Sequence, residues 1–162
     1  MGYLMVKIFV VYDSKYGNTK LVAEKIVEGI NAAGGVEVAI GYVKDVDAAQ
    51  VAAADAVVLG GPNHMGNASR TIMGFVDELA KVNRKARWVA CFDTYMGREK
   101  NRGRATGKLE KKVGEKLPDA KLITPGLSIK VTAIKGPIAD DELPKSVEFG
   151  KKVGAELKQA LA

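Results

Sequence analysis

The chain has 162 residues, of which 47% are hydrophobic and 27% are charged, and its formal net charge is +6. This is the composition of an ordinary globular protein that is large enough to bury a core, so we expect one domain over residues 1–162. No apolar run approaches the roughly 18 residues of a membrane helix, and residues 1–12 lack the features of a signal peptide.

Cysteine content and charge distribution narrow the setting. Cys91 is the single cysteine, which fits a reducing environment, and we predict a cytoplasmic location. Its apolar surroundings predict a buried side chain. Residues 1–83 hold 7 Lys+Arg and 9 Asp+Glu, a balance of −2, whereas residues 84–162 hold 18 and 10, a balance of +8. The excess lies in residues 98–116, either as a solvated helix face or as a docking patch for an acidic partner.

The first half of the chain alternates strand and helix patterns. Val6 to Tyr12 is an apolar run typical of a buried strand. Apolar residues then recur every four positions to Ile30, which predicts a helix that ends at the glycines of Asn31–Gly35. A second strand pattern covers Val36–Val43, and a short alanine-rich helix is predicted around Ala48–Ala54.

The alternation continues to the end of the chain. A third strand pattern, Ala56–Leu59, precedes a helix that Ser69 is placed to cap. A fourth covers Arg87–Phe92, and a basic helix follows. The residues around Pro125-Gly126 predict one bent strand or two short ones. Apolar residues spaced by four from Phe149 predict the last helix, whose Gly150 and Gly154 would let it approach the sheet closely.

Five apolar runs that alternate with helices predict a parallel sheet covered by helices on both faces. Right-handed crossovers then give a doubly wound α/β fold. Ligands bind such sheets beyond the carboxyl ends of the strands. Three loops therefore hold the candidate site, namely residues 13–19, 60–69 and 93–103.

The first of these loops suits an anion. Unpaired N–H groups at the start of a helix attract phosphate, and Ser14, Asn18 and Thr19 add side-chain donors. A plain turn with Asn18 or Thr19 as helix cap is the structural alternative. Dinucleotide binding is disfavoured because no G-x-G-x-x-G follows the first strand, and Asn67-Ala68 replaces the Lys-Ser/Thr of a Walker A loop.

The segment VYDSKYGNTKLVAEKI resembles the FMN phosphate loop of flavodoxins, with Tyr12, Ser14, Gly17 and Thr19 at its fixed positions. It is also similar to the flavodoxin-like module of A-type flavoproteins. The resemblance implies a five-stranded sheet of order 2-1-3-4-5 and FMN as cofactor. It also implies that one stretch wraps the phosphate: Ser14, Lys15, Tyr16, Gly17, Asn18 and Thr19.

The resemblance implies roles for the other two loops. The second lies along one face of the flavin and contributes Pro62, Asn63, His64, Met65 and Gly66. There the Gly66 peptide offers its carbonyl to the flavin, and glycine is the residue that can adopt the turns this requires. The third loop lies at the other face and contributes Thr94, Tyr95, Met96 and Gly97. Tyr95 is the expected stacking residue, with Met96 as the alternative.

These features predict an FMN-binding electron carrier that needs no acid–base catalytic residue and that shuttles electrons between redox partners. An FMN-dependent NAD(P)H:quinone-type reductase is the alternative, and a cofactor-free basic module is a third possibility. Nucleic acid binding is disfavoured because aromatic content is only 6%. One histidine cannot furnish a di-iron centre, and no Cys/His cluster has metal-ligand spacing, so no metal is expected.

Overall fold

The computed structural model describes residues 5–161 and contains one five-stranded sheet in which every neighbouring pair is parallel. The strand order is β2-β1-β3-β4-β5, which confirms the predicted fold class. The strands are β1 Val6–Tyr12, β2 Val36–Tyr42, β3 Ala56–Pro62, β4 Trp88–Met96 and β5 Lys121–Val131. The helices are α1 Asn18–Ala33, α2 Ala48–Ala52, α3 Arg70–Ala80, α4 Arg104–Lys116 and α5 Leu143–Leu161, with a 3-10 turn at Glu99–Asn101.

The alternation of side chains along the strands builds one core on each face of the sheet. Val10 and Phe92 point to the face covered by α1 and α5, whereas Val11 and Cys91 point to the face covered by α2, α3 and α4. Cys91 is fully buried, as its sequence context predicted. The strands are buried on both sides, which is why they read as continuous apolar runs in the sequence.

The predicted helix ends agree with the structure where a local signal marked them. The Ser69 hydroxyl accepts a hydrogen bond from the N–H of Ile72 at 3.2 Å and caps α3. At the end of α1, Gly34 has φ +72° and its N–H donates to the carbonyl of Asn31.

The structure decides one open question about the strands and corrects one predicted strand end. The residues around Pro125 form one strand, β5, with a register shift opposite Ala90 and Phe92. Strand β4 extends to Met96, four residues beyond the predicted end, so the segment expected to begin a loop is still paired. Asp93 and Thr94 pair with both β3 and β5, and Tyr95 and Met96 pair with β5, so backbone pairing holds all four residues in the sheet.

The expectation for Gly150 and Gly154 was wrong, because these glycines face α1 and not the sheet. A Cβ on Gly150 would overlap the carbonyl oxygen of Ile26, and one on Gly29 would overlap the carbonyl oxygen of Val147. The two helices therefore meet backbone to backbone. Within residues 5–161, none of the helices has the length and hydropathy that crossing a membrane requires.

Candidate functional site

A cavity of about 490 Å³ opens at the carboxyl ends of the strands, where α/β sheets bind ligands. This volume lies in the range of small-molecule sites. The three segments singled out in the sequence meet there, and a fourth joins them. The walls are formed by Ser14, Lys15, Tyr16, Asn18, Thr19, Pro62, Asn63, His64, Met65, Thr94, Tyr95, Met96, Val131 and Ile134.

The first loop turns sharply from β1 into the start of α1. Gly17 has φ +94°, a conformation that favours glycine, and its N–H donates to Ser14 Oγ at 3.1 Å. No side chain among the described residues caps α1, so the N–H groups of its first turn remain available at the cavity edge. Gly17 shapes this turn, whereas Ser14 and Asn18 line the cavity.

Thr19 joins the first loop to strand β4. It is 2% exposed, and its Oγ1 lies 2.8 Å from Oγ1 of Thr94.

Lys15 is exposed, and its Nζ lies 5.4 Å from the centre of the Tyr16 ring, where a cation–π contact holds it at the cavity mouth. The ring of Tyr16 is 44% exposed.

The second loop contains a tight two-residue turn. The N–H of His64 donates to the carbonyl of Asn67 at 2.7 Å, and the N–H of Asn67 donates back at 3.0 Å. Met65 and Gly66 between them have φ +53° and +88°. Gly66 thus already occupies the left-handed region for which the sequence required glycine, and it lies behind the cavity wall rather than in it.

Asn63 presents an unsatisfied donor at the cavity. Its Oδ1 accepts the N–H of Gly66 at 2.6 Å, which fixes the orientation of the side-chain amide. Its Nδ2 is buried and has no hydrogen-bond partner among the described residues. Leaving such a group unpaired costs about 1–3 kcal/mol, so an acceptor on a ligand would stabilise this arrangement.

At the end of β4, Tyr95 and Met96 both line the cavity but differ in exposure. Tyr95 is 1% exposed: its hydroxyl donates to Glu99 Oε2 at 3.1 Å, and the Arg102 guanidinium lies 5.0 Å from the ring centre. Burial and the bond to Glu99 raise the pKa of Tyr95 to about 12. Tyr95 therefore lines the cavity with almost none of its surface exposed in this conformation. Met96 is 45% exposed, so the alternative residue is the accessible one.

Gly97 follows Met96 but lies outside the cavity wall. It has φ +94° and its nearest neighbour is the Asn101 side chain, so it acts as a turn residue. Gly97 does not line the cavity, so its contact with a ligand stays a prediction.

The fourth segment, which follows β5, was missed in the sequence. Val131 is the last residue of β5, and Ile134 is 65% exposed. The backbone at Gly136 (φ +90°) packs against the Asn18 side chain, and this contact brings the segment over the first loop. The rule that ligands bind at the carboxyl ends of strands could have identified this segment, because it follows the apolar run Leu127–Val131.

Three of the eight cations in residues 98–116 are held in ion pairs. The carboxylates of Glu99 and Glu142 raise the pKa of Arg102, which they hold in ion pairs. Lys112 and Lys116 contact Asp77 at 2.8 and 3.9 Å. Arg98 and Lys100 are exposed, and no ion pair engages them among the described residues.

The set of donors fits a phosphorylated ligand with an aromatic ring better than a metal. The first loop offers N–H and hydroxyl groups, and Asn63 offers an amide. Tyr16, Met65, Met96 and Ile134 supply exposed apolar surface. No group of three or more His, Cys, Asp or Glu residues within 5–161 could hold a metal ion.

Comparison with known proteins points to one family. The model of the flavodoxin domain matches residues 9–131. A flavodoxin of Aquifex aeolicus (strain VF5) is 36% identical over 75 residues, which are 46% of this chain and 40% of that protein. A flavodoxin of Clostridium saccharobutylicum is 31% identical over 88 residues, or 54% of this chain and 55% of that protein. The matches span about half the length of these relatives.

Solved structures extend the likeness to nearly the whole chain. The structure of a flavodoxin from the domain Archaea has a TM-score of 0.79 and 26% sequence identity. The match covers 94% of this chain and 99% of that one. Since the matched family segment begins within β1 and ends with β5, it includes every cavity residue except Ile134.

Proposed function

The chain belongs to the flavodoxin family, whose members bind FMN, and from this we propose that its cavity holds FMN and that the protein carries electrons between redox partners. The observation that carries the proposal is the position of the first loop. Its uncapped helix start lies at the same cavity that is lined by Asn63, whose side-chain Nδ2 has no hydrogen-bond partner among the described residues.

The first loop would hold the phosphate of FMN. N–H groups at the start of α1 carry partial positive charge, and they attract an anion without a salt bridge. Ser14 and Thr19 can donate hydroxyl hydrogens, and Asn18 can donate an amide hydrogen. Lys15 contacts Tyr16 at the mouth, so its charge acts on the anion from a distance.

The second loop and the end of β4 would hold the ring system. The Nδ2 of Asn63 is oriented to donate to a ring carbonyl, because its Oδ1 already accepts from Gly66. Met96 and Tyr16 provide exposed apolar surface for the ring faces, and these contacts exclude water. FMN supplies the electron-transfer chemistry when bound. The chain needs only to bind it, orient it and leave one edge open.

The exposed groups around the cavity favour the binding of a redox partner with an acidic surface. Four apolar side chains protrude there, namely Tyr16, Met65, Met96 and Ile134. Exposed cations neighbour them on the same loops, namely Lys15, Lys135, Arg98 and Lys100. We therefore place the docking surface at the cavity mouth and on the 98–100 end of the predicted basic region. A partner with carboxylates around its redox group would complement it.

Titration of the purified chain with FMN tests the proposal. We expect one FMN per chain, with quenching of flavin fluorescence, and weaker binding of FAD because the first loop closes around a terminal phosphate. An Asn63→Ala variant should bind FMN more weakly by about tenfold, since it lacks the amide donor. No binding of FMN to the wild-type chain would contradict the proposal.

A turnover assay separates a carrier from an enzyme. A carrier should accept electrons from a chemical reductant and pass them on, but it should not oxidise NADH or NADPH steadily with benzoquinone. Steady turnover would establish the reductase function instead. The cytoplasmic location remains a prediction that rests on the single buried cysteine.

A further inference from the structure

Two cations of α4 reach the second loop from outside the cavity. The Nζ of Lys108 donates to Asn67 Oδ1 at 2.6 Å. The guanidinium of Arg104 lies directly against Gly66, because a Cβ on Gly66 would be 2.9 Å from Arg104 Cζ. Positions 104 and 108 are one helical turn apart and therefore lie on the same side of α4. One face of α4 therefore contacts both Gly66 and Asn67.

Arg104 also connects the second loop to the end of β4. Its Nη1 donates to Asn101 Oδ1 at 3.3 Å, and Asn101 Nδ2 donates to the carbonyl of Met96 at 3.3 Å. Met96 is the exposed wall residue on one side of the cavity, and the turn at Gly66 stands behind the other. The two walls are therefore linked through α4.

The start of α4 is a firm support for these contacts. The N–H and hydroxyl of Thr106 donate to Asp93 Oδ2 at 2.9 and 2.8 Å, and the N–H of Gly103 donates to Ser128 Oγ at 2.8 Å. Asp93 and Ser128 belong to β4 and β5. The first turn of α4 is consequently tied to two strands of the sheet.

The turn in the second loop needs such support. Met65 has φ +53°, a conformation that costs a residue with a Cβ about 1 kcal/mol or more. The Met65 side chain is 99% exposed and packs on nothing that would offset this cost. Contacts from outside the turn must therefore help to hold it.

We propose that Arg104 and Lys108 are positioning residues that hold the 64–67 turn in the conformation in which the Gly66 N–H donates to the side chain of Asn63 at the cavity wall. The inference rests on the proposed function, in that the amide is positioned for FMN. The cations act through the turn and do not touch the cofactor. Their removal should loosen the turn in the full-length chain and weaken FMN binding as a consequence.

The variants Arg104→Met and Lys108→Met test the proposal, because methionine keeps an unbranched side chain and removes the charge and the donors. The first readout is hydrogen exchange of the Asn67 amide before FMN is added. We expect exchange to accelerate about two- to tenfold, the range that corresponds to loss of one hydrogen bond. The second readout is the Kd of FMN, which should rise by a similar factor.

Matched variants separate the contact from the charge. Lys111→Met removes a charge from an exposed position of the same helix and should change neither readout. Lys108→Arg keeps a donor and should restore both. In an Asn67→Ala background, Lys108→Met should have no further effect on FMN affinity, since the acceptor is already absent.

Two results would overturn the proposal. One is unchanged amide exchange in both methionine variants, and the other is an equal effect of Lys111→Met. If the wild-type chain fails to bind FMN, the proposed function fails. The exchange measurement would still decide whether the two cations hold the turn.

Discussion

The guanidinium of Arg102 and the carboxylate of Glu142 form an ion pair between two loops, with Nη1 2.9 Å from Oε1. The carboxylate also accepts the N–H of Lys130 at 2.8 Å, and Arg102 Nη1 donates to the carbonyl of Ser128 at 2.8 Å. The Glu142 side chain is only 8% exposed. The pair ties the segment after β4 to the segment after β5, and the second of these segments contributes Ile134 to the cavity.

This ion pair makes folding stability sensitive to acid. Burial favours the neutral form of Glu142, but the hydrogen bonds it accepts from Lys145, Lys130 N–H and Arg102 outweigh burial and lower its pKa to about 2. Because the folded pKa is depressed, the stabilisation is present above the unfolded pKa and is lost as the pH falls toward 2. We expect Glu142→Gln to lower the free energy of unfolding by about 2 kcal/mol at pH 7.

Urea unfolding at pH 7 and at pH 2.5 checks this expectation. The difference between wild type and Glu142→Gln should shrink at the lower pH, while the exposed Glu148→Gln should show little difference at either. An equal loss at both pH values would mean that packing, not ionisation, explains the effect.

A buried carboxyl on α4 gives the opposite dependence on pH. Burial raises the pKa of Glu110, and the nearby Asp93 charge adds to this rise, which outweighs the lowering effect of a hydrogen bond from the Gly126 backbone. Its Oε2 has no hydrogen-bond partner among the described residues. Because the folded pKa lies above the unfolded one, ionisation of Glu110 destabilises the fold as the pH rises. Glu110→Gln should therefore raise the free energy of unfolding by about 1 kcal/mol at pH 7 and have little effect near pH 3. A less stable variant at pH 7 in thermal unfolding would refute this.

Close packing of α1 on α5 predicts a cost for the smallest substitution. Gly150→Ala places a Cβ on the carbonyl oxygen of Ile26, so the helices must separate. We expect a loss of about 3 kcal/mol in the free energy of unfolding, which exceeds the gain of about 1 kcal/mol from helix propensity. Gly114→Ala on α4 is the control, since nothing lies within 4 Å of its Cβ, and it should stabilise. Similar denaturation midpoints for the two variants would contradict the packing argument.

Measurements of FMN affinity can test which of the two side chains, Met96 or Tyr95, contacts the ligand. Met96→Ala removes exposed apolar surface from the wall and should weaken FMN binding about three- to tenfold. Tyr95→Phe removes the bond to Glu99 and should lower stability by about 1 kcal/mol with nearly unchanged affinity. Fluorescence titration and urea unfolding of both variants separate the two roles. A larger loss of affinity in Tyr95→Leu, which removes the ring, would assign the stacking role to Tyr95.

Charge reversal at the mouth tests the docking surface. Arg98→Glu with Lys100→Glu should slow electron transfer to an acidic acceptor protein at low salt by about tenfold or more, and the difference should fade as salt increases. Lys121→Glu, at the amino end of β5, changes charge at the opposite edge of the sheet and should have a small effect. Equal rates for all three proteins in stopped-flow measurements would exclude this surface.

The sequence predicted those features that depend on short-range rules. The Ser69 cap and the Gly34 terminus follow from apolar periodicity and local hydrogen bonding, whereas the strand order was expected only from the resemblance to flavodoxins. Features that depend on partners distant in the chain were not predictable. Strand pairing keeps Tyr95 in β4, and the pairing partner lies more than 30 residues away. The contact of Gly150 with α1 likewise requires the packed helices.

In the candidate site, too, local features could be predicted and features that depend on distant contacts could not. The first loop is a local strand–turn–helix unit, so its place could be predicted from the pattern of the sequence, and the resemblance to flavodoxins then suggested its residues. Ile134 could not, because its place at the cavity depends on the packing of Gly136 against Asn18. The burial of Tyr95 depends on Glu99 and Arg102, whose charges had been read only as part of a basic surface.

The backbone contact between α1 and α5 can be used to compare this chain with related proteins. Gly29 and Gly150 are held by geometry rather than by a ligand, so they should persist in descendants whose loops have exchanged one partner for another. Gly150 also lies beyond residues 9–131, the segment that identifies the family. A profile extended to include this pair would group chains by the way their last helix packs, independently of the cofactor site.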